Sequence, residues 1–131
     1  MEDQNIRSAI ERHWAASAAA DLEEEHNIYD DDALLDYPQS GEHIRGRRNI
    51  QGLRAHHPDK PSGFGVIRIL GRGDLWVSEF TITYRDRSFF TVSIMEFRNG
   101  KVVHETQYFG EPFQAPQWRA EWVERVGPHS E

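Results

Sequence analysis

The sequence predicts an α+β fold: three helices and one short strand come first, and a run of antiparallel strands follows, so the helices cover one face of a curved sheet. Two observations carry this. Apolar residues recur at three- and four-residue spacing before the breaker cluster His57-Pro58-Asp59-Lys60-Pro61-Ser62-Gly63, and at alternate positions after it. Two short turn signals, Arg85-Asp86 and Asn99-Gly100, then divide the second half into hairpins.

The elements follow in chain order. Ile6, Ile10, His13 or Trp14, and Ser17 share one face of a helix over residues 3–20, and five alanines between 15 and 20 favour helix and keep one side thin. Asp21 is an N-cap for a second helix, with Glu24 three residues on as its capping-box partner and Leu22, Ile28 and Tyr29 on the inner side. The acidic run over 21–36 holds eight carboxylates and no Lys or Arg, and is expected to be a solvated helix face and its turn. A calcium loop is the sharper alternative, but Asp30-Asp31-Asp32 lacks the alternate ligand spacing and central glycine of an EF-hand. Residues 33–37 form a short strand ended by Pro38, residues 39–45 a loop, and residues 46–57 a third helix with Ile50, Leu53 and Arg54 at helical spacing. Strands are expected over 65–71, 74–84, 88–97 and 102–109. Pro116 starts a final helical segment with Trp118, Trp122 and Val126 in a stripe.

With 131 residues and 37% hydrophobic content, the chain suits one domain spanning 1–131. No cysteine is present, which excludes disulfides, thiolate catalysis and cysteine-held metals. A net charge of −7 without a basic stripe argues against a nucleic-acid partner, and no apolar run approaches the ~20 residues of a membrane helix, so no membrane partner is expected. The polar N-terminus lacks the apolar core of a signal peptide, which makes the cytoplasm the expected location. No dinucleotide fingerprint, phosphate loop or metal-ligand cluster appears, so no cofactor and no metal are implied.

Alternation places Trp76, Ser78, Phe80 and Ile82 on one side of the 74–84 strand, beside Phe89, Thr91, Ser93 and Met95 across a two-residue turn. That apolar face with a few hydroxyls suits a small-molecule ligand. The opposite face, with Val77, Glu79, Thr81 and Thr83 beside Val92, Ile94 and Glu96, suits a subunit interface. The last strand is ambiguous. A three-residue loop with Gly100 as a bulge turns Val103, Glu105, Gln107 and Phe109 inward, whereas a two-residue Asn-Gly turn selects His104, Thr106 and Tyr108.

Tyr29-Asp30-Asp31-Asp32-Ala33, Asp36-Tyr37-Pro38, Gly46-Arg47 and 97–102 leading to Glu105-Thr106-Gln107-Tyr108-Phe109, in this order, resemble the nuclear transport factor 2-like superfamily, in particular its SnoaL-like and ketosteroid-isomerase-like branch. The resemblance implies a cone-shaped α+β fold with a buried pocket, a homodimer, and the register that turns Glu105 and Gln107 inward. It also implies that the ketosteroid-isomerase machinery is replaced. The general-base aspartate before the proline falls at Tyr37, the oxyanion-hole tyrosine at His13, and the protonated aspartate near Ser93.

The resulting candidates are Glu105, His13 and Tyr37 as catalytic groups and Trp14, Trp76, Phe80, Thr91, Ser93, Met95, Gln107 and Phe109 as ligand contacts. His13 titrates near neutrality and suits acid–base work; alternatively it is a hydrogen-bonded helix histidine. Glu105 is an inward acid that requires a partner or a function, and an ion pair with Arg54 is its structural alternative. The expected activity is a cofactor-independent isomerase, cyclase, dehydratase or hydrolase acting on a small, mostly apolar carbonyl or hydroxyl compound. A non-catalytic ligand-binding or protein-interaction dimer is the alternative.

Overall fold

The computed structural model describes residues 2–126. Helix α1 (Asp3–Ala18) is followed by α2 (Leu22–His26), strand β1 (Tyr29–Tyr37), β2 (Glu42–Arg45), α3 (Arg47–Ala55), then β3 (Pro61–Arg72), β4 (Leu75–Tyr84), β5 (Arg87–Arg98) and β6 (Lys101–Gly110), with a 3-10 turn at Gln117–Trp122. The six strands form one curved sheet in the order β2-β1-β6-β5-β4-β3. All neighbours are antiparallel except β1 and β6, which run parallel and join the helical half to the meander.

The acidic run divides where the expectation placed a single helix and turn. Asp21 caps α2, its side chain accepting from the Glu24 N–H. Asp30-Asp31-Asp32, however, belongs to β1. Tyr29, Ala33 and Leu35 are buried on either side of the triplet and hold the strand in the sheet against the low strand preference of aspartate. Residues 42–45 are likewise not loop but an edge strand, antiparallel to β1 through a turn in which Gly41 adopts φ 73°. Its brevity and charge suit an exposed edge. Gly46 precedes α3 at φ 92°, a conformation that favours glycine, and its N–H donates to the Ala33 carbonyl at 2.7 Å, tying the helix to β1.

The β4–β5 register is the one alternation predicts. Trp76 opposes Met95, Ser78 opposes Ser93 and Phe80 opposes Thr91, all buried. The β5–β6 hairpin combines features of both readings. Arg98 opposes Lys101, so the turn is the two-residue Asn99-Gly100 form, with both residues at positive φ. A bulge then intervenes, because Phe97 opposes Val102 but Glu96 opposes His104. Val102, not Val103, is therefore buried, and Glu105 and Gln107 still point inward. Ile6, Ile10 and Trp14 of α1 join Ile69, Trp76 and Phe80 of the sheet in the core, and the Trp14 indole donates to Ser78 Oγ at 2.9 Å.

Candidate active site

Between the helices and the sheet's inner face lies a cavity of about 800 Å³. Trp14, Phe64 and Phe80 line one wall. Trp14 and Phe80 lie 4.3 Å apart between ring centroids, and Phe64 and Phe80 lie 5.0 Å apart and nearly parallel. His57 stacks on Tyr84 at 4.4 Å, and Tyr37 meets Phe109 edge to face at 5.4 Å. Most of the lining surface is apolar, which suits a largely apolar molecule, although Asp59 and the exposed Lys60, Arg85, Asp86 and Arg87 also line the cavity.

The least exposed polar groups of the lining lie together at one pole. Arg54 of α3 projects into the cavity and pairs through Nη1 with Glu25 Oε2 at 3.0 Å, while its Nη2 faces Gln107 Oε1 at 3.4 Å. Glu25 comes from α2, and the same Oε2 accepts from Ser17 Oγ at 2.7 Å. Tyr37 and Tyr84 complete this pole. Burial raises the pKa of each phenol above its ordinary value, with the Arg54 charge opposing, so both hydroxyls remain proton donors near neutrality.

Glu105 lies behind this layer. It is fully buried and off the cavity wall, and it accepts from the Tyr29 hydroxyl, from Ser93 Oγ at 2.5 Å and from Gln107 Nε2 at 2.9 Å. With both oxygens engaged, its effect on the cavity passes through Gln107: by accepting from the Gln107 amide it turns that side chain's oxygen toward Arg54. No direct ion pair joins Glu105 and Arg54.

His13 is also below the surface. Its Nδ1 donates to the Glu25 carbonyl at 2.5 Å, and Nε2 is buried without a partner. Burial lowers its pKa from 6.5 to about 4, against the opposing influence of Glu25, so it is neutral at pH 7. Neighbouring His26 has the same arrangement, with Nδ1 donating to the Leu22 carbonyl at 2.6 Å and Nε2 unpartnered, and burial depresses its pKa too.

Of the residues singled out from the sequence, Tyr37, Trp14, Phe80, Gln107 and Phe109 line the cavity, while Trp76, Thr91, Ser93 and Met95 lie in the core beneath it with Glu105 and His13. Glu25 and Tyr84 were not singled out, and Arg54 was weighed only as a partner for Glu105. The signal for Glu25 was its spacing: Leu22, Glu25, His26 and Tyr29 recur at helical intervals, which sets this one carboxylate of the acidic run on the inner side. Among the described residues, no cluster of three or more His, Asp or Glu is arranged to hold a metal, and no helix is long and apolar enough to cross a membrane.

Comparison with known proteins agrees with this architecture. A crystal structure of an NTF-2 like protein of unknown function from Burkholderia xenovorans LB400 is 62% identical, covering 97% of this chain and 99% of that one with a TM-score of 0.88. A putative ketosteroid isomerase from Kribbella flavida DSM 17836 superposes with a TM-score of 0.87 over 100% of this chain and 97% of its own at 23% identity. An LEH-like epoxide hydrolase from M. tuberculosis does so with a TM-score of 0.68 over 82% and 84% at 20% identity. These last two likenesses concern the fold alone. No curated protein matches the chain. The SnoaL-like domain model matches residues 10–105, most of the chain, and the protein belongs to the SnoaL-like domain family.

Proposed function

We propose that this protein is a cofactor-independent acid–base enzyme acting on a small, mostly apolar carbonyl compound, with Glu25 as the base and Arg54 and Tyr37 as donors to the carbonyl oxygen. The observation that carries this reading is the placement of the Glu25 carboxylate, the Arg54 guanidinium and two protonated phenols together on the wall of a cavity whose lining surface is mostly apolar. The bonds from Ser17 and Arg54 both fall on Glu25 Oε2, leaving Oε1 for a ligand. Glu25 removes a proton from the carbon beside the carbonyl, and the electron pair moves to the oxygen, where Arg54 N–H and Tyr37 O–H stabilise the enolate. In a β,γ-unsaturated ketone, return of the proton from Glu25 to the γ-carbon gives isomerisation; attack of the enolate carbon on a second carbonyl, whose oxygen takes that proton, gives cyclisation; and departure of a β-hydroxyl, which takes that proton and leaves as water, gives dehydration. Glu105 is a positioning residue in this scheme, holding the Gln107 amide so that its oxygen faces Arg54.

The first step is testable without knowing the product. A panel of small apolar ketones is incubated with the protein in D2O and deuterium uptake is followed by NMR. Exchange by the wild-type chain, lost in Glu25→Gln and in Arg54→Met, supports the assignment. Ligands that bind without exchange move the protein to the alternative role of a non-catalytic binding module.

A further inference from the structure

The proposed reaction leaves one polar stretch of the cavity wall without a role. It is built where the chain between α3 and β3 crosses the end of β4. Pro61, the first residue of β3, opposes Tyr84. His57 lies flat on the Tyr84 ring, 4.4 Å between centroids and 11° from parallel. Arg85 Nε donates to Asp59 Oδ1 at 2.8 Å, and Ser62 Oγ shares its proton between the Thr83 and Arg85 carbonyls at 3.3 and 3.2 Å. These bonds hold the connecting segment against the strand end, so His57, Lys60 and Tyr84 form one continuous part of the lining.

These three side chains have donors to offer. The Asp59 N–H donates to His57 Nδ1 at 3.0 Å, so that nitrogen presents its lone pair and the ring proton sits on Nε2. Among the described residues, none pairs with the exposed Lys60 ammonium or hydrogen-bonds the Tyr84 hydroxyl. The nearby charges are already matched: Asp59 pairs with Arg85, and Arg87 with Glu111. Asp86, the remaining carboxylate of this wall, is exposed in the β4–β5 turn, where water and salt screen it. An imidazole N–H, a phenol O–H and an ammonium side by side suit a group that only accepts, and their single positive charge matches a carboxylate better than a doubly charged phosphate. We propose that His57, Tyr84 and Lys60 bind a carboxylate of the ligand, which makes the substrate a keto acid: an apolar frame with its ketone at Arg54 and Tyr37 and its acid group here. The ketone end rests on the function proposed above, whereas the carboxylate end rests on this wall alone.

Calorimetric titration of the full chain near pH 7 tests this with benzoylpropionate and benzoylbutyrate, two aryl keto acids that differ by one methylene, against their methyl esters. Each ester keeps the frame and the ketone and loses only the charge. One of the two acids is expected to bind at least about 10-fold more tightly than its ester, since a hydrogen bond to a charged group is worth that much. Tyr84→Phe should lower the acid-to-ester ratio at least about 5-fold. Lys60→Met should lower it about 3-fold, an effect that fades as salt is raised. Far-UV circular dichroism verifies that both variants fold. Equal affinity of acid and ester in both pairs overturns the proposal, as does no binding of any of the four, or a preference that survives both substitutions. Deuterium uptake by the same ketones reports separately on the proposed reaction. An acid that binds in preference to its ester without exchanging supports the carboxylate site and removes the enolisation, while exchange without that preference does the reverse.

Discussion

Replacing Arg54 with Met removes the one guanidinium paired with Glu25 while keeping most of the side chain's bulk. Glu25 is left as a carboxylate with a side chain only 8% exposed and Ser17 as its remaining donor. Breaking a buried ion pair from one side costs about 3–5 kcal/mol. The Arg54 side chain is 18% exposed at the cavity, so water reaches the pair and the lower end applies. A loss of about 3 kcal/mol lowers the melting temperature of a domain of this size by roughly 10 °C. The assay is urea unfolding at pH 7 with the slope m unchanged, alongside a thermal melt. The double variant Glu25→Gln with Arg54→Met removes the orphaned charge and should regain at least about half the loss. A single-variant cost below about 1 kcal/mol, or a double variant no more stable than the single one, would refute the reasoning, because Glu25 would then not depend on Arg54.

Three further predictions rest on the surrounding network. His13 is neutral when folded, with its pKa lowered to about 4, whereas the unfolded chain takes up that proton near 6.5. Stability should therefore fall as pH drops from 6.5 to 4 and level off below, by about 3 kcal/mol in all. His13→Gln should flatten that part of the profile, and an NMR titration placing His13 near 6.5 would contradict it. His104 has its pKa raised, chiefly by the Asp36 hydrogen bond, so its contribution is complete below 6.5 and is lost as pH rises through the folded value. His104→Asn should destabilise the protein more at pH 6 than at pH 9, by at most about 1 kcal/mol for so exposed a cluster. Glu105→Gln sets an amide N–H₂ among three donors, and should cost about 1–3 kcal/mol in unfolding experiments while weakening deuterium exchange through Gln107. A variant as stable as the wild type would mean that those three bonds do not hold Glu105.

Much of the fold was legible because local and tertiary signals agreed. Trp76, Ser78, Phe80 and Ile82 alternate with polar residues, and the two-residue turn at Arg85-Asp86 leaves one pairing with β5. Agreement failed where a tertiary contact overrode a local preference. Three aspartates joined a strand because Tyr29 and Leu35 are anchored in the core, and Glu42–Arg45 became a strand because β1 offered an edge. The last hairpin could not be settled by counting turn residues, since the bulge that turns Glu105 inward lies beyond the turn. The site was less legible than the fold for a related reason. The resemblance implies which way Glu105 points but not how deep it lies, and a residue behind Gln107 shares its parity with one on the wall. Glu25 was hidden in plain composition, as one of eight acids in a run whose other members are mostly solvated.

The central claim is that the Arg54 pole receives a ligand oxygen inside the aromatic cavity. A crystal structure with a bound phenol, flat and bearing one acidic oxygen as an enolate does, tests it most directly. The phenol oxygen is expected within about 3 Å of both the Arg54 guanidinium and the Tyr37 hydroxyl, with the ring along Trp14, Phe64 and Phe80. A phenol seated with its oxygen away from Arg54, or a cavity left empty at saturating phenol, would contradict it.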